Sequence, residues 1–146
     1  MLIMLIRNRK AQFNYKVLEK FEAGLILSGG EVKAIKRGHA DLSGAYAKIV
    51  VNEAYLINAS IPVEGKKDYS PTRSRKMLLH KREIVSIQSK IKANKLTLIP
   101  TKMYNKGRLI KAEIALAKSK RKFEKKESIK RKDIERELAQ ELKGKY

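Results

Sequence analysis

The 146-residue sequence contains no cysteine and no tryptophan, and its only histidines are His39 and His80. Without cysteine, disulfide frameworks, zinc knuckles, zinc ribbons and thiol catalysis are excluded. Two histidines are too few for a histidine-rich metal site. Aromatic residues make up only 6% of the chain and do not form the paired aromatic motif of an RRM, so long stretches of unpaired bases are a poor ligand.

Long apolar runs are also missing. The nearest candidate is the first six residues, Met-Leu-Ile-Met-Leu-Ile, whereas a membrane-spanning helix needs about 18. This run has no basic leader, and arginines follow it at once, unlike a signal peptide. We therefore expect a cytoplasmic protein that is not inserted in a membrane, whose apolar start is either loose or paired with a sheet edge.

Acidic residues are scarce relative to basic ones. The chain has 15 Asp and Glu against 35 Lys and Arg, which gives a formal net charge of +20. A chain this basic usually binds a polyanion, because each Lys or Arg can neutralise a phosphate and release a counterion. Nucleic acid is the favoured partner, while an acidic protein or an anionic membrane surface stays open at this point.

The sequence contains few of the motifs that are typical of enzyme active sites. The only glycine cluster, Ser28-Gly29-Gly30, lacks the Gly-Lys-Ser/Thr ending of a phosphate-binding loop, and no nucleophile elbow occurs. A metal nuclease needs two or three convergent carboxylates. Glu22, Glu31 and Asp41 are the only acids of the body in one neighbourhood, and we expect them to be buried or paired. We predict no enzyme and no cofactor.

Alternating hydrophobicity and turn residues divide the chain into three parts. Residues 1–12 are an N-terminal extension, residues 13–117 are a body of five or six short strands with two helical segments, and residues 118–146 are a charged tail. Short antiparallel strands with a few helices favour a mainly β fold, a small OB-like barrel with flanking short helices.

Two hairpins carry the strand prediction. The first pairs residues 46–51 with 54–61, and the second pairs residues 96–103 with 109–117. Pro100 indicates a sheet edge or a bulge in the second hairpin.

Two helices are predicted between the strands. The first covers residues 31–37, with Gly38 as a left-handed stop, and the second covers residues 73–93, with Asn94 at its exit. Five cations surround the predicted start of the second helix, where exposed N–H groups favour phosphate: they are Arg73, Arg75, Lys76, Lys81 and Arg82. A solvated helix face is the alternative, but such a face usually carries both signs of charge.

The composition changes sharply at Lys118. Residues 118–146 contain 12 basic and 6 acidic residues, a net +6 that leaves +14 on the rest of the chain. A thin apolar stripe cannot fold such a segment alone, so we predict disorder in isolation and a helix when bound. Phe123, alone within the run of cations, would stack on a base or anchor the bound helix.

Several ordered blocks resemble the SsrA-binding protein (small protein B) family, the bacterial partner of transfer-messenger RNA. The resemblance covers roughly residues 8–136. Its blocks read Asn-Arg-Lys-Ala from Asn8, Phe-Glu-Ala-Gly-Leu from Phe21, Gly-Glu-Val-Lys-Ala-Ile-Lys from Gly30, and Pro-Thr-Arg-Ser-Arg-Lys-Met-Leu-Leu-His-Lys-Arg-Glu-Ile from Pro71. The last is the most diagnostic.

The resemblance implies an OB-type barrel that grips the tRNA-like domain of transfer-messenger RNA. It further implies that protein and RNA enter ribosomes stalled on truncated messages, where the tail becomes a helix in the empty mRNA channel at the decoding centre of the small subunit. Elongation factor Tu and alanyl-tRNA synthetase act on the same RNA and would be indirect partners. A general RNA-binding, ribosome-associated protein or RNA chaperone is the alternative function.

The resemblance also assigns residues. Glu22, Leu78 and His80 match positions needed for the RNA, and cations supply backbone contacts. With the basic cluster, the predicted RNA-binding set is Glu22, Lys33, Arg73, Arg75, Lys76, Leu78, His80, Lys81 and Arg82. The predicted ribosome-binding tail set is Lys118, Lys120, Arg121, Lys122, Phe123, Glu124, Lys125, Lys126, Ile129, Lys130 and Arg131.

Three positions depart from the family pattern. Ser119 stands where glycine is usual, Glu124 where aspartate is usual, and Gly30 where an aromatic residue is frequent. Glu124 keeps the charge, so we expect the function of the tail to be retained.

Overall fold

The structure, a computed structural model, describes residues 5–120, residue 126 and residues 130–137. Its elements in chain order are β1 (Leu5–Arg7), α1 (Arg9–Asn14), β2 (Tyr15–Leu25), α2 (Gly29–Lys36), β3 (Tyr46–Val50), β4 (Glu53–Ile57), β5 (Arg75–Leu78), α3 (Lys81–Asn94), β6 (Thr97–Lys106) and β7 (Leu109–Ser119). Residues 130–137 of the tail are helical and exposed. No helix in these ranges is long and apolar enough to cross a membrane.

The seven strands form one antiparallel sheet in the order β1-β6-β3-β4-β5-β2-β7, and β6 also pairs with β7. This second pairing closes strands β2 to β7 into a barrel, while β1 extends the sheet beside β6. The prediction of a mainly β, OB-like barrel is confirmed. Pro100 lies at a register shift between β6 and β7, as predicted for a bulge.

The inward face of the barrel is apolar because its strands alternate. Leu56, Met77, Ile114 and Leu116 point inward and are at most 2% exposed. Each fully buried side chain of this size contributes about 1.5–3 kcal/mol relative to an exposed one. Helix α3 packs Ile87 against the same core, so the helix is fixed to the barrel.

The first predicted helix corresponds to α2, and it ends as predicted. Helix α2 stops at Lys36, and Gly38 follows with φ +78°. Its start is fixed by Ser28, whose side-chain oxygen accepts a hydrogen bond from the backbone N–H of Glu31, while Glu31 accepts one from the N–H of Ser28.

The second helix was predicted to begin at Arg73, and that prediction is wrong. Residues 75–78 form strand β5, and α3 begins only at Lys81. The helical spacing of apolar residues had merged two elements, because Leu78 and Leu79 precede the true helix with compatible spacing. The exit at Asn94 is correct.

The chain start is anchored to the sheet from Leu5 onward. Strand β1 pairs with residues 102–104 of β6, the edge-paired alternative of the prediction. Asn8 is 3% exposed, caps α1 through its Oδ1, and donates from Nδ2 to the carbonyl of Pro100 at 2.8 Å. The short helix α1, absent from the prediction, follows from this cap. Residues 1–4 lie outside the described residues.

Candidate nucleic-acid interface

Glu22 lies on the outer face of β2 and is exposed. Its carboxylate accepts hydrogen bonds from the hydroxyl of Tyr104 and, at 3.3 Å, from the Nζ of Lys106. The Tyr104 bond, together with Lys106 and Lys111, lowers the pKa of Glu22 below its usual value. Glu22 is therefore a fixed anion in a cationic setting, able to accept a hydrogen bond from a ligand.

Leu78 lies on the outer face of β5, the strand that pairs with the end of β2. It ends β5, is 55% exposed, and pairs with Gly24, which is two residues after Glu22 on the same strand face. A Cβ at position 24 would lie 3.4 Å from the Cβ of Leu78 and 3.6 Å from the Nζ of Lys111. The absence of a side chain at Gly24 thus leaves Leu78 and Lys111 accessible on one surface.

His80 is the residue directly before α3. Its backbone N–H donates to the Oε1 of Glu83 at 3.0 Å, and its side chain is exposed. With Phe21 and Arg82 it lines an open cavity of about 320 Å³. Leu78 pairs with Gly24 and His80 lines a cavity with Phe21, so both lie near the segment of β2 that carries Glu22.

Lys81 and Arg82 lie in the first turn of α3 and are exposed. Neither makes an ion pair or a side-chain hydrogen bond within the part of the chain that the structure describes. Both cations are free to meet a phosphate near the positive end of the helix. This part of the predicted basic cluster is at a helix start, as expected.

Arg75 does not belong to this surface. Alternation along β5 turns Lys76 and Leu78 outward and Arg75 inward, where its side chain is 0% exposed. Its guanidinium donates to Glu31 at 2.6 Å and to the carbonyls of Ala59 and Pro71. The prediction of an RNA backbone contact for Arg75 is contradicted, since no phosphate can reach a buried and fully bonded guanidinium.

Arg73 is also committed to Glu31. It donates to both carboxylate oxygens, through Nε at 3.0 Å and through Nη2, and its side chain is 39% exposed. The bonds to Glu31 raise the pKa of Arg73 further. A phosphate contact by Arg73 would compete with this pair.

Glu31 itself is 0% exposed and accepts hydrogen bonds from Arg73, Arg75, Ser28 and Tyr69. Burial alone would raise its pKa, but these donors outweigh burial and lower the pKa to about 2. The carboxylate joins α2 to β5 and to the loop before it. The expected pairing role of Glu31 is thereby confirmed.

The remaining two cations of the predicted RNA-binding set are exposed to different degrees. Lys76 is on the outer face of β5 and pairs with Glu53 at 3.0 Å, with its side chain 41% exposed. Lys33 lies on α2, where it lines an open groove of about 340 Å³ with Arg37 and His39. This groove is a second basic surface.

Sequence reasoning missed the cations beside Glu22. Lys106 on β6 and Lys111 on β7 lie near the Glu22 carboxylate, while Lys102, on the same face of β6, lies 3.9 Å from Glu113. Their signal was present as alternation of polar residues with buried ones such as Met103. Among the described residues, no group of three His, Asp or Glu side chains is arranged to hold a metal ion.

The tail residues are described only in part. Lys118 is exposed near the end of strand β7, and Lys120 donates through Nζ to the carbonyl of Gln12 at 3.1 Å. Lys126, Lys130 and Arg131 are helical and exposed. Six predicted tail residues lie outside the described residues: Arg121, Lys122, Phe123, Glu124, Lys125 and Ile129.

Comparison with known proteins identifies the relatives of this chain. A family model described as SmpB protein matches residues 5–144. The SsrA-binding protein of Persephonella marina is 45% identical over 94% of this chain and 93% of its own length. The SsrA-binding protein of Malacoplasma penetrans is 44% identical over 96% and 98%.

A solved structure is similar as well. A chain described under "tmRNA-SmpB: a journey to the center of the bacterial ribosome" matches with a TM-score of 0.67 and 37% identity, covering 86% of this chain and 94% of that chain. The family model runs from the barrel into the tail, and each of the two curated relatives is matched over more than nine-tenths of both chains. This chain belongs to the SmpB family of SsrA-binding proteins.

Proposed function

We propose that this protein binds the tRNA-like domain of transfer-messenger RNA and delivers that RNA to ribosomes stalled on truncated messages. The observation that carries the proposal is the match to SsrA-binding proteins over more than nine-tenths of both chains. A relative of similar fold is described with tmRNA and the ribosome. The activity would take place in the cytoplasm, where ribosomes work.

The body would hold the RNA through the surface around Glu22, Leu78 and His80. The Glu22 carboxylate accepts hydrogen bonds from base N–H or ribose hydroxyl groups, which distinguishes it from the surrounding cations. Leu78 offers an exposed apolar contact, and Lys81 and Arg82 supply phosphate contacts. This combination suits a folded RNA read by shape and backbone.

The tail would occupy the empty mRNA channel and the decoding centre of the small subunit. Residues 118–146 carry a net charge of +6, which suits a channel lined by ribosomal RNA. The helical, exposed residues 130–137 are consistent with a helix presented to such a surface. That the helix forms only on binding stays a prediction.

Elongation factor Tu and alanyl-tRNA synthetase would be indirect partners, since they would act on the same RNA without touching this chain. We infer further that the protein binds RNA and does not cleave it, in keeping with its RNA-binding relatives. Incubation with labelled RNA and a divalent metal should leave the RNA intact, and turnover would contradict this inference.

The proposal is tested by tail truncation. Removing residues 121–146 should leave binding to the tRNA-like domain nearly intact, while tagging of nascent peptides on stalled ribosomes is lost. The full-length variant His80→Ala should instead weaken binding to the tRNA-like domain. If truncation abolished RNA binding and left tagging unharmed, the proposed division between barrel and tail would be wrong.

A further inference from the structure

A row of three side chains crosses the outer face of β3, β4 and β5. Tyr55 is the register partner of Lys48 on one side and of Lys76 on the other. Neighbouring strands are about 4.8 Å apart, and directly paired residues point to the same face. The three side chains therefore stand side by side, with an aromatic ring between two cations.

Glu53 fixes two members of this row. The hydroxyl of Tyr55 donates to the Oε2 of Glu53 at 2.7 Å, and the Nζ of Lys76 lies 3.0 Å from its Oε1. The bond to Glu53 raises the pKa of Tyr55, so the hydroxyl stays protonated and keeps donating. Because Glu53, two residues before Tyr55 on β4, holds both groups, ordering Tyr55 on ligand binding would cost little conformational entropy.

Lys48 is the unpaired end of the row. Its side chain is exposed, and it makes no ion pair or hydrogen bond within the ranges that the structure describes. Tyr46, two residues earlier on the same face of β3, is 44% exposed. The outer face of β3–β5 thus presents two lysines, two tyrosines and Glu53, and nothing described in the structure covers it.

We propose that the face defined by Lys48, Tyr55 and Lys76 binds one unpaired nucleotide of RNA. The base stacks on the ring of Tyr55, one flanking phosphate lies next to the unpaired Lys48, and the other meets Lys76 in competition with Glu53. The order of cation, ring and cation follows the order of phosphate, base and phosphate along a strand, and any base offers a face for stacking. The proposal rests on the proposed function, because it concerns the same RNA, and it adds Lys48 and Tyr55 to a surface of which only Lys76 belongs to the RNA-binding set predicted from the sequence.

Affinity measurements on the full-length protein test the proposal, with the tRNA-like domain of transfer-messenger RNA as the probe. Tyr55→Leu should weaken binding about fivefold to a hundredfold, the range for loss of one stacked base. Tyr55→Phe, which keeps the ring, should recover most of that loss. Lys48→Gln should reduce the slope of log affinity against log salt by about one, and Lys92→Gln, an exposed lysine on α3, should leave the slope unchanged.

Cross-linking provides an independent readout that a loss of folding would not imitate. RNA transcribed with 4-thiouridine and irradiated in the wild-type complex should cross-link to Tyr55, as read by mass spectrometry of the digested protein. The proposal is overturned if cross-links fall only around His80 and Tyr55→Leu binds as tightly as wild type. If wild-type protein itself fails to bind the RNA, the proposed function fails instead.

Discussion

Replacing the buried carboxylate of Glu31 by an amide should cost the protein a large part of its stability. Glu31→Gln keeps the volume of the side chain, but it leaves the guanidinium of Arg75, which is 0% exposed, without a counter-charge. The carbonyls of Ala59 and Pro71 still accept from Arg75 at 2.7 and 2.8 Å, yet they do not neutralise it. Removing one partner of a buried ion pair costs about 3–5 kcal/mol, and we expect a decrease in the free energy of unfolding of that size.

The pH dependence of stability gives a second measure of the same pair. The pKa of Glu31 is about 2 in the folded protein, against an ordinary value of 4.5. A carboxyl whose folded pKa is lowered contributes stability that is complete above its unfolded pKa and is lost as the pH falls toward its folded pKa. The loss between pH 4.5 and 2 amounts to about 3 kcal/mol. Glu31→Gln should lack this loss.

Urea unfolding followed by circular dichroism measures both effects, at neutral pH and through the acid range. Glu19→Gln is the matched control, because Glu19 pairs with Lys90 while its side chain is 41% exposed, and it should cost less than about 1 kcal/mol. The reasoning is refuted if Glu31→Gln costs no more than Glu19→Gln and keeps the acid dependence of the wild type.

Three further stability predictions use thermal or urea unfolding. Asn8→Ala should cost about 1–3 kcal/mol, because it removes both the cap of α1 and a buried bond to β6, and an unchanged stability would show that the chain start is not docked. Val51→Asn should raise Tm by about 2 °C, since Val51 has φ +49° in a hairpin turn where asparagine is less strained, and a lower Tm would contradict this explanation. Gly30→Ala should destabilise the protein by about 1 kcal/mol, because the new Cβ would lie 2.8 Å from the Cγ1 of Val63. Gly29→Ala has open space around its Cβ and should stabilise the protein, and equal effects of the two substitutions would refute the argument.

Most of the barrel could be predicted because its strands alternate apolar and polar residues over several positions. Strand β7, with Ile110, Ala112 and Ile114 buried in turn, shows the pattern clearly. Strand β5 could not be recognised, because it has only four residues and one of its two inward positions is an arginine. Arg75 fits inside only because Glu31, 44 residues earlier, supplies its counter-charge, and local pattern carries no information about that partner.

The candidate interface was predictable to a different extent. The resemblance supplied Glu22, Leu78 and His80, and the structure places Leu78 and His80 near the segment of β2 that carries Glu22 without testing their roles. Charge alone pointed to the basic cluster but could not separate the exposed Arg82 from the buried Arg75, because burial depends on the strand register. Lys111 went unrecognised for the same reason, since its approach to Glu22 requires the pairing of β2 with β7.

The central claim is that the charge of the barrel forms a specific site for one RNA. A gel-shift titration of the full-length protein against the isolated tRNA-like domain, at two salt concentrations and with bulk tRNA as competitor, tests it most directly. We predict tight binding that weakens with salt and resists an excess of bulk tRNA. Equal affinity for the domain and for bulk tRNA would contradict the claim and favour a general RNA-binding protein.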